Sequence, residues 1–346
     1  MNRLLTLAGS LAISLTLFAT SSMAEKNITL MTHDSFNVSR DVIALFEKEN
    51  DAKVRFLKAG DAGAALIQAI LSKENPLADV FFGVDNTFFS RAIEADIFRP
   101  YNSPLLDKIP AALKLDPENR LLPVDFGDVC LNYDKVWFKK NSLTPPQDLR
   151  DLIKPEYKGL TVVENPATSS PGMAFLLATI GRFGEDGYLD YWKKLRDNDV
   201  IIAGGWEDAY FGHFTAASKG DRPIVVSYAT SPPAAVFYSE TPITEAPTAA
   251  VVTDNSAFRQ IEFIGILKGT KDVDLAEKLV DFMLARPLQE DIPLQMFVFP
   301  ANQEAKLPEV FVKHATVATK PAEVSPAAIE KMRDAWIEAW TNTVLR

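Results

Sequence analysis

The amino-acid sequence predicts an α/β fold, a largely parallel sheet with helices on both faces. Three observations predict it. From residue 28 to about residue 95, short apolar runs alternate with amphipathic stretches in the order βαβαβα. The turns at the carboxyl ends of those strands are His33-Asp34-Ser35, Gly60-Asp61-Ala62-Gly63 and Gly83-Val84-Asp85-Asn86, and open parallel sheets bind ligands at such strand ends. The length of 346 residues, 47% of them hydrophobic, provides core for about two domains at roughly 150 residues each.

Taken in order, Ile28–Thr32 reads as a strand, and Ser39 as the cap of a helix over Arg40–Asn50 whose Val42, Ile43, Leu45 and Phe46 share a face. Lys53–Ala59 is a strand, Ala62–Ser72 a helix capped by Asp61, and Ala78–Val84 a buried strand after which Asp85 caps a helix to about Ala95. A second block starts near Asp125. Val129–Tyr133, Leu160–Glu164, Val200–Ala203 and Ile224–Tyr228 read as strands, with helices over Pro171–Phe183 and Tyr188–Arg196. Helices follow over Val273–Leu284 and, capped by Ser325 with Pro326 at its first position, over Ala327–Leu345. In that last helix Ile329, Met332, Trp336 and Trp340 form a core stripe.

Residues 1–24 read as a separate export segment. Arg3 supplies the positive start, Leu4 to Thr20 the apolar stretch, and Ser22-Met23-Ala24 a small-x-small cleavage site, so cutting is expected after Ala24. No later run reaches about 18 uninterrupted apolar residues, so a soluble exported protein of the bacterial periplasm is expected. A formal charge of −10 disfavours nucleic-acid binding, which needs clustered Lys and Arg. Cys130 is the only cysteine, so no disulfide forms within the chain.

Catalysis finds little support. There is no Gly-x-Ser-x-Gly elbow, no P-loop, no Gly-x-Gly-x-x-Gly and no His-Glu-x-x-His. His33-Asp34-Ser35 holds triad residue types in immediate succession, but adjacent side chains on a strand point to opposite faces. No catalytic residue, metal site or cofactor is expected. Binding is better supported. Thr168-Ser169-Ser170-Pro171-Gly172 sets hydroxyls at a helix start, where free N–H groups suit a polar or anionic ligand; capping alone accounts for one hydroxyl, not three. Gly204-Gly205-Trp206-Glu207 places an indole in a turn after a strand, able to stack on a flat ring or cation. Ser227-Tyr228-Ala229-Thr230-Ser231-Pro232 ends another strand with an aromatic ring and hydroxyls.

These segments, with Asp34-Ser35-Phe36, Pro123-Val124-Asp125-Phe126-Gly127 and Ala335-Trp336-Ile337-Glu338-Ala339-Trp340, resemble the thiamine-binding periplasmic proteins of ABC importers. The resemblance implies a two-lobed periplasmic-binding-protein fold of type II, each lobe a mostly parallel sheet flanked by helices. Lobe 1 would take residues 25–125 plus about 255–290, and lobe 2 residues 126–254 plus about 291–346, with the ligand between them. It implies capture of thiamine or a thiamine phosphate and delivery to a membrane permease whose ATPase is a separate chain, by a protein that acts as a monomer. It assigns ring contacts to Trp206 and Tyr228, and the phosphate or hydroxyl end to Ser169 and Gly63. His33, Asp34, Asp61, Ser170 and Ser231 belong to the same turns and join the candidate set. Asp85, Asp125 and Glu207 are candidates for balancing the cation, each also readable as a helix cap or a solvated acid.

The chain departs from the enterobacterial pattern at four places. His33 replaces a Tyr, Ala62 an acidic residue, Ala234 a Tyr and Phe297 a late pocket Trp, which thins the aromatic cage; Phe237 or Tyr238 stands near enough in sequence to compensate. Ferric iron is the alternative ligand, but its binders use neighbouring tyrosines and none of the eight here is adjacent to another. A polyamine or another heterocyclic cation is a further alternative, and a secreted hydrolase the least supported.

Overall fold

The computed structural model describes residues 26–346; the export segment read over residues 1–24 lies outside the described residues. The first unit runs β1 (Lys26–Thr32), α1 (Arg40–Asn50), β2 (Ala52–Lys58), α2 (Ala62–Leu71), β3 (Val80–Asp85) and α3 (Phe89–Glu94). β1 pairs in parallel with β2 from Lys26↔Ala52 to Thr32↔Lys58, and with β3 at Leu30↔Val80. All six residues of β3 are buried, as a continuous apolar run in a covered parallel sheet demands. Asp61 caps α2 by accepting the Ala62 N–H at 2.7 Å. Ser39 occupies the cap position of α1 but does not cap it. Its hydroxyl donates instead to Asp291 Oδ1 at 2.5 Å, tying the helix start to a distant segment. The helix expected after Asp85 shrinks to α3; Asp85 Oδ1 collects the Thr87 N–H, the Thr87 hydroxyl and the Phe88 N–H, which hold the turn before it.

A two-residue β4 (Phe98–Arg99) leads to the long β5 (Leu122–Asp134) and the short α4 (Lys135–Lys140). The second unit follows with β6 (Thr161–Glu164), α5 (Ser170–Phe183), α6 (Tyr188–Asp197), β7 (Ile201–Ala203), β8 (Ile224–Tyr228) and α7 (Ser231–Phe237). β6 lies parallel between β7 and β8. α5 is buried from Ser170 to Ile180 and stops at Gly184, whose φ of 75° other residues rarely adopt. The chain then makes β9 (Thr248–Val251), β10 (Phe258–Leu267), α8 (Val273–Leu284), α9 (Arg286–Gln295), β11 (Phe299–Pro300), α10 (Glu309–His314) and α11 (Pro326–Val344).

The strands join in the order β2-β1-β3-β10-β5-β8-β6-β7. The parallel pairing that the βα alternation predicts holds within each unit, while β5 and β10 run antiparallel between them. β5 gives its first half to β10 and its second half to β8, so two long strands carry the chain from one unit to the other. The predicted stripe of α11 is buried at Ile329, Trp336 and Trp340, and Met332 is partly buried beside it. Trp192 of α6 meets Trp340 edge to face at 5.5 Å and Phe175 of α5 at 5.6 Å. Arg333, on the same helix, reaches the first unit; its guanidinium lies 4.2 Å from the centre of the Phe88 ring and donates to the Thr87 carbonyl. Among the described residues no helix is long and apolar enough to cross a membrane.

Candidate functional site

A cleft of about 640 Å³ opens where the strand ends of both units meet β10, with the segment after α9 along one edge. Its floor is set by strand register. Glu262 of β10 pairs with Asp85 of β3 on one side and Asp125 of β5 on the other. Directly opposed residues share a sheet face, so three carboxyl groups stand in a row, all of them buried. Burial, then the charge of Glu262, holds Asp125 well above the usual carboxylate range, which favours its protonated form. Burial likewise lifts Asp85 to about 6, opposed by the Ser170 and Thr87 hydroxyls. Only Glu262 of the three lines the cleft.

His33 lies across from it, with Nε2 3.4 Å from Glu262 Oε1. Burial works to lower His33, but the charge and hydrogen bonding of Glu262 and the charge of Asp61 outweigh it and raise it above the ordinary histidine value. Two residues before Glu262 on the same face, Gln260 accepts the Tyr228 hydroxyl at 3.1 Å. Its buried Nε2 has no protein partner, leaving a donor for a ligand. The Tyr228 ring packs close to Gly127, where an added Cβ would stand 3.0 Å from Cδ1.

One wall is aromatic. After β7, Gly204-Gly205 turn the chain into a short helical stretch that widens to a π-helix over Asp208–His213, a distortion common at functional sites. Trp206 stacks on Tyr210 at 5.0 Å and 20° and meets Phe211 edge-on at 5.5 Å. Its indole N–H donates to Ser227 Oγ at 2.9 Å, which pairs in turn with Ser231 Oγ at 2.8 Å, so the ring plane is fixed from below. The facing edge carries Phe297, held at φ 55°, a conformation uncommon outside glycine and concentrated at functional sites. The Thr230 hydroxyl donates to the Phe297 carbonyl and keeps it there. Tyr238 lies 5.4 Å from the Phe297 ring and Phe237 6.2 Å. Tyr238 lines the cleft while Phe237 backs it.

At the polar end Asp61 joins the two units. Oδ1 caps α2 and Oδ2 accepts the Trp206 N–H at 2.9 Å. Burial raises Asp61 above the ordinary carboxylate value, against the pull of those two N–H groups, His33 and the Ser169 side chain.

Of the residues singled out from sequence, Trp206, Tyr228, Ser170, Asp61, His33, Glu207, Ser231 and Phe297 line the cleft together. The others do not. Ser169 is buried as the cap of α5, and Gly63 is covered by the Thr168 carbonyl and the Phe88 ring, 2.9 and 2.8 Å from where a Cβ would be. Asp34 turns aside to accept the Gly60 N–H, and Asp85 and Asp125 stand beneath the floor. Sequence reasoning missed Glu262 and Gln260, along with Tyr210 and Phe211 as cleft-lining rings. A run of Gln and Glu two residues apart within Phe258–Leu267 was the available signal, since period-two polar positions in an apolar stretch mark one face of a strand.

A family model described as bacterial extracellular solute-binding protein matches residues 75–319. The chain is 29% identical to the thiamine-binding periplasmic protein of Salmonella typhimurium over 96% of its own length and 98% of the relative's. It is 28% identical to the protein of the same name from Escherichia coli, over 93% and 95%. Among solved structures, a periplasmic thiamin binding protein superposes with a TM-score of 0.81 and 26% identity, covering 92% of this chain and 96% of the other.

Proposed function

The chain belongs to the bacterial extracellular solute-binding protein family, and from that premise we propose that it captures thiamine in the periplasm and delivers it to the permease of an ABC importer, without chemical change to the ligand. The observation that carries this reading is the pairing, in one cleft, of an indole stacked on one face with the Glu262 carboxyl group. Thiamine is a flat aminopyrimidine joined to a thiazolium cation. The pyrimidine suits the Trp206 wall, the cation suits the Glu262 side, and the unpartnered Gln260 Nε2 offers a donor. The thiamine-binding names of full-length relatives support the same ligand.

In this reading residues 25–125 with about 255–290 act as one lobe and residues 126–254 with about 291–346 as the other, hinged at β5 and β10, the strands that cross between them. Closure removes water from around the ligand. The protein works as a monomer that shuttles to the membrane, after removal of residues 1–24. Isothermal calorimetry of the mature chain with thiamine tests the reading. Saturable heat and a raised melting temperature are expected; absence of both sinks it.

A further inference from the structure

We propose that Asp61 makes the cleft selective for the phosphate-free form of its ligand, because its own carboxylate fills a place where the backbone is built to receive an anion. This rests on the reading of the cleft as a thiamine site and narrows it to one chemical form.

Two helices begin beside Asp61. It caps α2, and the first turn of α5, capped by Ser169, lies close enough for the Ser169 side chain to act on the Asp61 carboxyl. Helix starts present free N–H groups and the positive end of the helix dipole, so negative charge gathers there. Besides the Ala62 N–H at the start of α2, a second N–H comes from across the cleft, where Trp206 donates to Oδ2 from 145 residues further along the chain. The chain meets this demand for an anion itself, with Oδ1 on Ala62 and Oδ2 on Trp206. Gly205 makes the fit possible, since a Cβ there would stand 2.7 Å from Oδ2.

A ligand tail arriving at this corner therefore meets a carboxyl group whose two oxygens each accept an N–H, a pattern that favours the ionised form against the burial that raises it. A hydroxyl can donate to it. A phosphate monoester, carrying a charge of roughly −1.5 to −2 near neutral pH, can only repel it or displace it from both N–H groups. The rest of the lining gives no relief. Glu207 and Glu262 add two more carboxyl groups, and among the described residues no lysine or arginine lines the cleft. His33 is the nearest candidate cation, and it faces Glu262.

The test is calorimetry of the mature chain against thiamine and against thiamine monophosphate, repeated with Asp61→Asn, which keeps the side chain's shape and an acceptor oxygen but removes the charge. Thiamine is expected to bind the wild type at least about tenfold more tightly than the monophosphate, the size of a like-charge penalty at close range. Asp61→Asn should shrink that ratio by a factor of about three or more. A melting curve confirms that the variant is folded. Should it not be, Asp61→Ser, which retains a helix-capping side chain, replaces it. Monophosphate bound by the wild type as tightly as thiamine overturns the proposal and leaves thiamine capture standing, as does an unchanged ratio in a folded variant. Failure of thiamine itself to bind overturns both.

Discussion

The two βα units of this protein share an architecture and face the same cleft, yet the mix of side chains they present to it differs. From the first come His33, Ser35, Asp61 and Ala62, without an indole, phenol or phenyl ring; from the second come Trp206, Tyr210, Phe211 and Tyr228, beside the polar Ser170, Glu207 and Ser231. Both sets sit at the carboxyl ends of parallel strands, so position in the fold does not explain the difference. It lies in what each unit has to spare. The second unit is organised around large aromatic residues, with Trp192 buried among Phe175 and Trp340, and a separate packed group around Tyr210 and Phe214 carries Trp206 and Phe211 to the cleft. The first unit keeps its aromatic residues beneath the sheet turns, Phe82 and Phe88 among them, and shows the cleft side chains that hydrogen-bond. The Trp206 wall thus belongs to the second unit, while the carboxyl groups of the lining come from the first unit, the second and β10 alike.

The sharpest way to break this comparison is to ask whether aromatic residues of the second unit serve the scaffold or the ligand. Trp192→Ala should lower stability by about 3–5 kcal/mol, as a fully buried indole that donates to Thr179 Oγ1 at 2.9 Å is lost. Chemical denaturation measures it, and a loss under 1 kcal/mol would show the unit to be less tightly built than its contacts suggest. The first unit is probed through pH. Asp85 is raised from 3.8 to about 6 in the fold, so between those values the folded chain holds a proton that the unfolded chain has released. Stability contributed by that proton is fully present below pH 3.8 and is lost as pH rises to about 6, a change on the order of 2–3 kcal/mol. Asp85→Asn should flatten the melting temperature across this window relative to the wild type. Parallel curves for the two proteins would remove Asp85 as the source.

Next in size is Trp206→Ala, expected to weaken thiamine binding by about 1–3 kcal/mol while the fold persists. Glu262→Gln should cost about 1 kcal/mol of thiamine affinity, since the buried carboxyl group that lines the cleft beside the cation is replaced by an amide. Calorimetry reads both. A loss from Glu262→Gln exceeding that from Trp206→Ala would reverse the order, and charge rather than stacking would then dominate.

The same division governs how much was legible in the sequence. The first unit reads almost residue by residue, because β1, α1, β2 and α2 have the apolar periods of isolated elements. β10 escaped notice. Its Gln260 and Glu262 interrupt the apolar run that marks a buried strand, and they do so because that face of the strand is the cleft floor, while Arg259 on the other face pairs with Asp128. The row of carboxyl groups escaped with it, since Asp85 and Asp125 become neighbours of Glu262 only through strand pairing between segments 177 and 137 residues apart, a register that local sequence does not encode. Trp206 was legible for the opposite reason. A Trp after paired glycines in a turn has no core period to belong to. Ser169 and Gly63 show the converse limit, where residues of the right type at the right turn are enclosed by close packing between α2 and the start of α5.

The smallest effect concerns the edge that belongs to neither unit's strand ends. Phe297, fixed by its left-handed backbone, and Tyr238, 60% exposed at the cleft mouth, stand opposite the Trp206 wall. If both walls stacked on the ligand equally, removing either would cost alike. The geometry argues otherwise, because Trp206 is braced by Tyr210 and by a hydrogen bond to Ser227, whereas the Tyr238 hydroxyl is held only by the Leu294 carbonyl at 3.3 Å. A loosely held ring must be ordered when ligand binds, and that ordering offsets much of its contact energy. Tyr238→Ala should therefore weaken thiamine binding by about 0.5 kcal/mol, while Phe297→Ala, which removes a ring held in place by its backbone and leaves another L-residue at the same left-handed φ, should cost about 1 kcal/mol. A Tyr238 effect as large as that of Trp206 would mean that the mouth clamps the ligand as firmly as the wall, and the asymmetry between the two sides of the cleft would disappear.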